Sequence, residues 1–140
     1  MENARVIILA VCFSLILSAP ASAGVKIDLK KIAAIESSGR PHAWNKPEDA
    51  RGLYQIRPIL RRDFNQMTGK NYSPDDLWDP EINREIADWY LHVRIPQLLK
   101  HFSQPATVDN VLISYNCGVG CVIKGARPKV TQRYLAKYKK

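Results

Sequence analysis

Apolar positions recur along this chain at intervals of three and four residues, the spacing of helices that bury one face. The first run follows Asp28, a capping residue type, and places Leu29, Ile32, Ala33 and Glu36 on one helical face before Gly39 ends it. A second helix is predicted from Pro58 through Ile59, Leu60 and Phe64 to about Met67, closed by Gly69 and Asn71. Ser73-Pro74-Asp75-Asp76 reads as a capped single turn. Asp79-Pro80-Glu81 repeats that device and opens the longest helix, whose predicted apolar face is Ile82, Ile86, Trp89, Tyr90 and Val93. Pro96 should kink or end it near Arg94 and Ile95, with a short piece from Gln97 to Phe102 in a new direction. Thr107 caps a further helix with Val108, Val111, Leu112 and Tyr115 facing inward. Gly118-Val119-Gly120 is predicted to be a turn, and Pro128 opens a last helix carrying Val130, Tyr134, Leu135 and Tyr138 on one side. Strand signals are weak throughout, and the stretch from Gly39 to about Gln55 is predicted as a loop because Pro41, Asn45, Pro47 and Gly52 interrupt it. The expected fold is a compact, mainly α domain.

One segment departs from this pattern. Val6 to Leu17 is a nearly unbroken apolar run behind a short polar start, and Ser18 to Ala23 supplies small residues with an Ala21-x-Ala23 cleavage signal. The run is short for a membrane span, and no stop-transfer pattern follows. Residues 1–23 are therefore expected to be a signal peptide cleaved near Ala23, leaving 24–140 as one exported, unanchored domain, periplasmic or secreted; an uncleaved N-terminal anchor is the alternative. Export alters the meaning of the cysteines. Cys12 leaves with the leader, and Cys117 and Cys121 remain as a C-x-x-x-C pair in an oxidising compartment, where a disulfide between them is expected. Gly118 and Gly120 let the backbone tighten enough for it. No metal site is expected, since there is no second cysteine pair and His42, His92 and His101 are scattered.

Lysine and arginine number 21 against 13 aspartate and glutamate, a net charge of +8 that loss of Glu2 and Arg5 with the leader leaves unchanged. In a cytosolic chain this would point to nucleic acid; no nucleic-acid motif is present, and for an exported chain anionic cell-envelope polymers are the expected partner. The basic end, Lys137 to Lys140, reads as a solvated helix terminus.

Glu36 is the main candidate for chemistry. It stands on the apolar stripe of its own helix, where burial disfavours the carboxylate and should raise its pKa. An acid that keeps its proton near neutral pH can donate it and later accept one. Taken alone, Glu36 also fits a helix-end carboxylate paired with Lys30, Lys31 or Arg40. In Gly52-Leu53-Tyr54-Gln55-Ile56, Gly52 permits a close backbone approach and Gln55 offers an amide beside an aromatic ring, a composition that fits the wall of a sugar-binding cleft or a turn with a solvated glutamine.

Glu36-Ser37-Ser38-Gly39, then Gly52-Leu53-Tyr54-Gln55-Ile56, then Tyr115-Asn116-Cys117-Gly118 at a helix end, with Tyr134 in the last helix, resembles the soluble (SLT-type) lytic transglycosylases of goose-type lysozyme-like fold. The resemblance spans about Leu29 to Tyr138, and the small size is like single-domain members attached to secretion or conjugation machines. It implies Glu36 as sole catalytic acid/base and Ser37 as a holder of the substrate's peptide or acetamido group. Gln55 would line the cleft, Tyr115 would hydrogen-bond near the glutamate, Asn116 would support the same site, and Tyr134 would be a cleft tyrosine. It further implies a monomer acting on peptidoglycan glycan strands without cofactor, by cleaving the β-1,4 bond between N-acetylmuramic acid and N-acetylglucosamine and closing a 1,6-anhydro ring. Two departures stand out: Tyr54, where Met or Gly is common and which is expected to narrow the cleft, and Cys117, where alanine is common. A hydrolytic goose-type lysozyme would instead need a second carboxylate, for which Glu48, Asp49 and Asp63 are candidates. A non-catalytic peptidoglycan-binding module is the remaining alternative.

Overall fold

The computed structural model describes residues 24–140, and the expected leader over residues 1–23 lies outside the described residues. Asp28 caps α1 (Leu29–Ser37) as expected, its Oδ1 accepting from the N–H groups of Lys30 and Lys31 at 2.9 and 3.3 Å. At the other end Ser38 and Gly39 both take positive φ, 56° and 73°, and their N–H groups turn back to the carbonyls of Ala34 and Ala33. The helix thus stops one residue ahead of its glycine.

The predicted loop contains a small antiparallel hairpin, β1 (Trp44–Asn45) and β2 (Ala50–Arg51), with Trp44 opposite Arg51 and Asn45 opposite Ala50. A 3-10 turn over Lys46–Glu48 reverses it, and Ile56 bridges back to Arg51. Strands two residues long carry too little alternation to register in sequence. Helix α2 (Pro58–Thr68) follows, ended by Gly69 at φ 74°. The Ser73 N–H donates to Asp76 Oδ2 at 2.6 Å while Ser73 Oγ accepts from the Asp76 N–H at 3.3 Å, a reciprocal cap on the 3-10 turn Asp75–Trp78.

Helix α3 (Pro80–Trp89), capped by Asp79, runs on through a π-helical turn over Tyr90–Arg94 into α4 (Ile95–His101). Pro96 was expected to break the chain direction near here. The Ile95 N–H instead bonds the Tyr90 carbonyl five residues back, and this wider turn accommodates the proline within the first turn of α4. The buried face is Asn83, Ile86, Ala87 and Leu91, and Val93, predicted inward, is 40% exposed. Thr107 caps α5 (Val108–Cys117), whose residues from Val111 to Tyr115 are all buried, so that it is enclosed rather than one-sided. Gly118 alone makes the predicted turn, at φ 88°, and a short helix α6 (Val119–Ile123) starts immediately after it. In α7 (Lys129–Tyr138) the inward residues are Thr131 and Tyr134, with Leu135 and Tyr138 partly covered, whereas Val130 is exposed.

The mainly helical fold is therefore as expected, with α5 at its centre packed on α4, α6 and α7, and with α1 laid against α7. One core gathers Ile32, Ile56, Ile86, Leu91, Leu99 and Leu112. Among the described residues no helix is long and apolar enough to cross a membrane.

Candidate active site

Glu36 lies in the last turn of α1, half-buried, at the edge of a cavity of about 130 Å³. The hairpin contributes Asn45, Glu48 and Ala50 to its walls; Gln55, Arg57 and Leu60 come from the next segment, and Tyr115 and Asn116 from the end of α5. The structure thus brings Glu36, Gln55, Tyr115 and Asn116 together from segments far apart in sequence.

Burial pushes the Glu36 pKa up from 4.5 to about 7. The nearby Tyr134 hydroxyl and the Arg57 guanidinium oppose the rise, and Glu48 adds to it. Tyr134 is itself buried, and among the described residues its hydroxyl has no partner in good hydrogen-bond geometry; it acts on the Glu36 carboxyl as a nearby dipole. Burial and the neighbouring Glu36 keep the Tyr134 hydroxyl protonated. Arg57 is steadied beside Glu36 by donating from Nη2 to the Tyr115 carbonyl at 3.0 Å.

Two amides in the cavity wall are held in fixed orientations. Gln55 sits at φ 50°, and its Nε2 donates to the carbonyls of Ala43 and Gly52, each at 3.0 Å. That fixes the orientation of the amide and leaves Oε1 without a protein donor among the described residues, an acceptor for ligand. Asn116 is set the other way: its Oδ1 accepts from the buried Thr131 hydroxyl at 2.8 Å, which leaves its NH₂ group as a donor. Tyr115 donates to the Tyr54 carbonyl at 2.8 Å rather than to Glu36, so it braces the Gln55 segment.

That segment is anchored by Asn83, which the sequence reading missed. Fully buried on α3, Asn83 donates to the Arg51 and Leu77 carbonyls at 2.8 and 2.9 Å and accepts from the Tyr54 N–H at 2.9 Å. Gly52, at φ 80°, admits this side chain, since a Cβ there would stand 2.2 Å from Asn83 Nδ2. Arg57 and Thr131 were also missed. An asparagine on a buried helical face is the sequence signal that marks Asn83; nothing local marks the other two.

Ser37 does not line the cavity: it is buried, donates to the Ala33 carbonyl at 3.1 Å and accepts from the Arg40 N–H at 3.2 Å, closing the helix end. Tyr54 turns into the core and does not narrow the cleft. Of the three candidate second carboxylates, Glu48 alone lines the cavity. Asp49 is held by Arg51 and Trp44, and Asp63 by a two-point bridge to Arg94 and by the Tyr90 hydroxyl. Cys117 and Cys121 are joined as a disulfide with Cα atoms 6.2 Å apart, tying α5 to α6 just beyond Asn116. Among the described residues no three His, Cys, Asp or Glu side chains group as metal ligands.

The raised pKa predicts a stability slope. Between about 4.5 and 7 the folded protein holds a Glu36 proton that the unfolded chain has released, so stability should fall as pH rises through this window. The loss should be on the order of 2–3 kcal/mol and complete above the upper value. Urea unfolding at the two ends of the window, with Glu36→Gln alongside, reads it: the variant should lack this part of the slope.

The transglycosylase SLT domain family matches residues 21–135 of the chain. Among solved structures, the 70 kDa soluble lytic transglycosylase SLT70 from Escherichia coli is similar over 79% of this chain, at 26% identity and a TM-score of 0.57. The matched part is only 16% of that protein's length. No curated protein matches the chain.

Proposed function

Because the chain belongs to the transglycosylase SLT domain family, we propose that it is a peptidoglycan lytic transglycosylase with Glu36 as its single general acid/base. The observation that carries this reading is a carboxyl poised near neutral pH in a polar cleft, with a fixed acceptor at Gln55 and a fixed donor at Asn116. Protonated Glu36 donates to the glycosidic oxygen as the bond between that oxygen and the muramoyl C1 breaks. The carboxylate so formed faces the positive charge developing on C1. It then takes the proton of the muramoyl C6 hydroxyl as that oxygen attacks C1, which closes the 1,6-anhydro ring and restores the acid. No water is consumed. Gln55 Oε1 and the Asn116 NH₂ suit the N–H and carbonyl of an acetamido group. The expected leader would deliver the domain to the envelope side of the membrane, where this polymer lies.

Glu48 gives the hydrolytic alternative a specific form, since a second carboxylate on the cavity wall is placed to hold a water. Its Oε2 already accepts from Asn45 Nδ2 at 3.2 Å. Release of soluble fragments from purified peptidoglycan by Glu48→Gln separates the readings: we expect activity within about threefold of the parent, whereas an inverting base should cost roughly 10²-fold or more. On the same substrate kcat/KM should fall as pH rises through about 7, as Glu36 loses its proton. Tyr115→Phe should lower the rate only several-fold, with unchanged products, since it frees the Tyr54 carbonyl but leaves the acid in place; it should cost about 1 kcal/mol of stability by urea unfolding.

A further inference from the structure

The outer face of the hairpin carries a cluster that the cleft does not use. Strand alternation and cross-strand pairing turn Asn45 and Ala50 toward the cavity and Trp44 and Arg51 away from it. Trp44 is 49% exposed, an unusual position for an indole, yet it is firmly held. Its Nε1–H donates to Asp49 Oδ1 at 3.0 Å, and Arg51 Nε donates to the same oxygen at 2.9 Å. The Arg51 guanidinium lies 5.6 Å from the Trp44 ring centre and 5.3 Å from that of Trp78, while its Nη1 reaches Asp75 at 3.1 Å. The two indoles meet edge to face at 6.3 Å and 85°, forming a corner. Lys46 places its ammonium 5.1 Å over the Trp44 ring and has no carboxylate partner among the described residues.

The π face of this exposed indole, now covered by Lys46, suits the axial C–H groups of a pyranose, and the unpaired ammonium can swing aside from it to meet a carboxylate on the sugar. We propose that this corner is a second carbohydrate-binding site, outside the catalytic cleft, that takes a carboxylate-bearing N-acetylhexosamine unit of the glycan strand. The site rests on the peptidoglycan reading of the cleft, with which it shares the hairpin as a common wall. A polymer held on the outer face stays beside the cleft between cuts. The corner is two indoles fringed by Lys46, Asp49, Arg51 and Asp75, which suits a sugar ring better than the broad apolar core of a protein interface.

The test compares the parent protein with Trp44→Ala and Lys46→Glu on protease-treated peptidoglycan sacculi and on chitin, a neutral N-acetylhexosamine polymer. Melting temperatures are measured alongside, and the exposed Lys46 variant serves even where the Trp44 variant folds poorly. On sacculi both variants should bind about tenfold more weakly and raise the half-saturating substrate concentration without lowering kcat, as loss of a remote contact does. On chitin only Trp44→Ala should weaken binding. Affinity within twofold of the parent for both variants would overturn the site, as would a fall in kcat alone. So would a Trp44 dependence seen only on sacculi that retain their bound proteins, which would point to a protein partner. A parent protein that binds through Trp44 but releases no fragments would leave this site standing and remove the catalytic reading instead.

Discussion

Replacing Glu36 by glutamine is expected to abolish release of fragments from peptidoglycan, by roughly 10³-fold or more, because in the proposed reaction one group supplies both proton transfers. The change is nearly isosteric, so the cavity walls keep their places and binding of the polymer should survive. Glutamine carries no charge to desolvate, and above pH 7 the variant should be more stable than the parent by on the order of 2 kcal/mol. Loss of activity with a gain in stability is the signature of a group retained for chemistry at a cost to the fold. A solvated helix-end carboxylate would show neither, and a non-catalytic binding module would have no turnover to lose.

The second large effect should come from Gly52→Ala. The added Cβ would lie 2.2 Å from Asn83 Nδ2 and 2.6 Å from the Leu77 carbonyl, at a φ of 80° that alanine disfavours. Asn83 cannot withdraw without abandoning three buried bonds, to Arg51, Leu77 and Tyr54. We expect a loss of about 3–5 kcal/mol, from overpacking together with left-handed strain and broken buried hydrogen bonds. Activity should fall as well, since Gln55 takes its orientation partly from the Gly52 carbonyl. Gly39→Ala is the control. Its φ is 73° but nothing lies within 4 Å of the added carbon, so it should cost only about 1 kcal/mol. Equal costs for the two alanines by urea unfolding would show that the Asn83 contact carries no special weight.

Local chemistry explains what was legible in the sequence. Asp28, Asp79, Thr107 and the Ser73–Asp76 pair act through neighbours two or three residues away, and each is found capping where its spacing predicts. The mainly helical architecture followed from those caps and the apolar spacing. Faces were less legible where long-range packing decides them: Val93 and Val130 fit an apolar stripe yet stand exposed, while Asn83 and Thr131 are buried because each has a distant polar partner. Pro96 misled for a different reason: the N–H of its neighbour Ile95 reaches the Tyr90 carbonyl five residues back, and this π turn absorbs the proline without a break. Within the site, Glu36, Gln55, Tyr115 and Asn116 were marked by their motifs. Arg57 was not, because its position beside Glu36 is set by a carbonyl 58 residues away. Ser37 is the opposite case: a motif residue whose hydroxyl is taken up by its own helix end.

The most direct test of the single-carboxylate reading is mass spectrometry of the muropeptides released from purified peptidoglycan by the protein, with Glu36→Gln as the blank. The account predicts fragments ending in 1,6-anhydromuramic acid, lighter by one water than hydrolytic products, and none from the variant. Reducing-end fragments would contradict it and would move attention to Glu48.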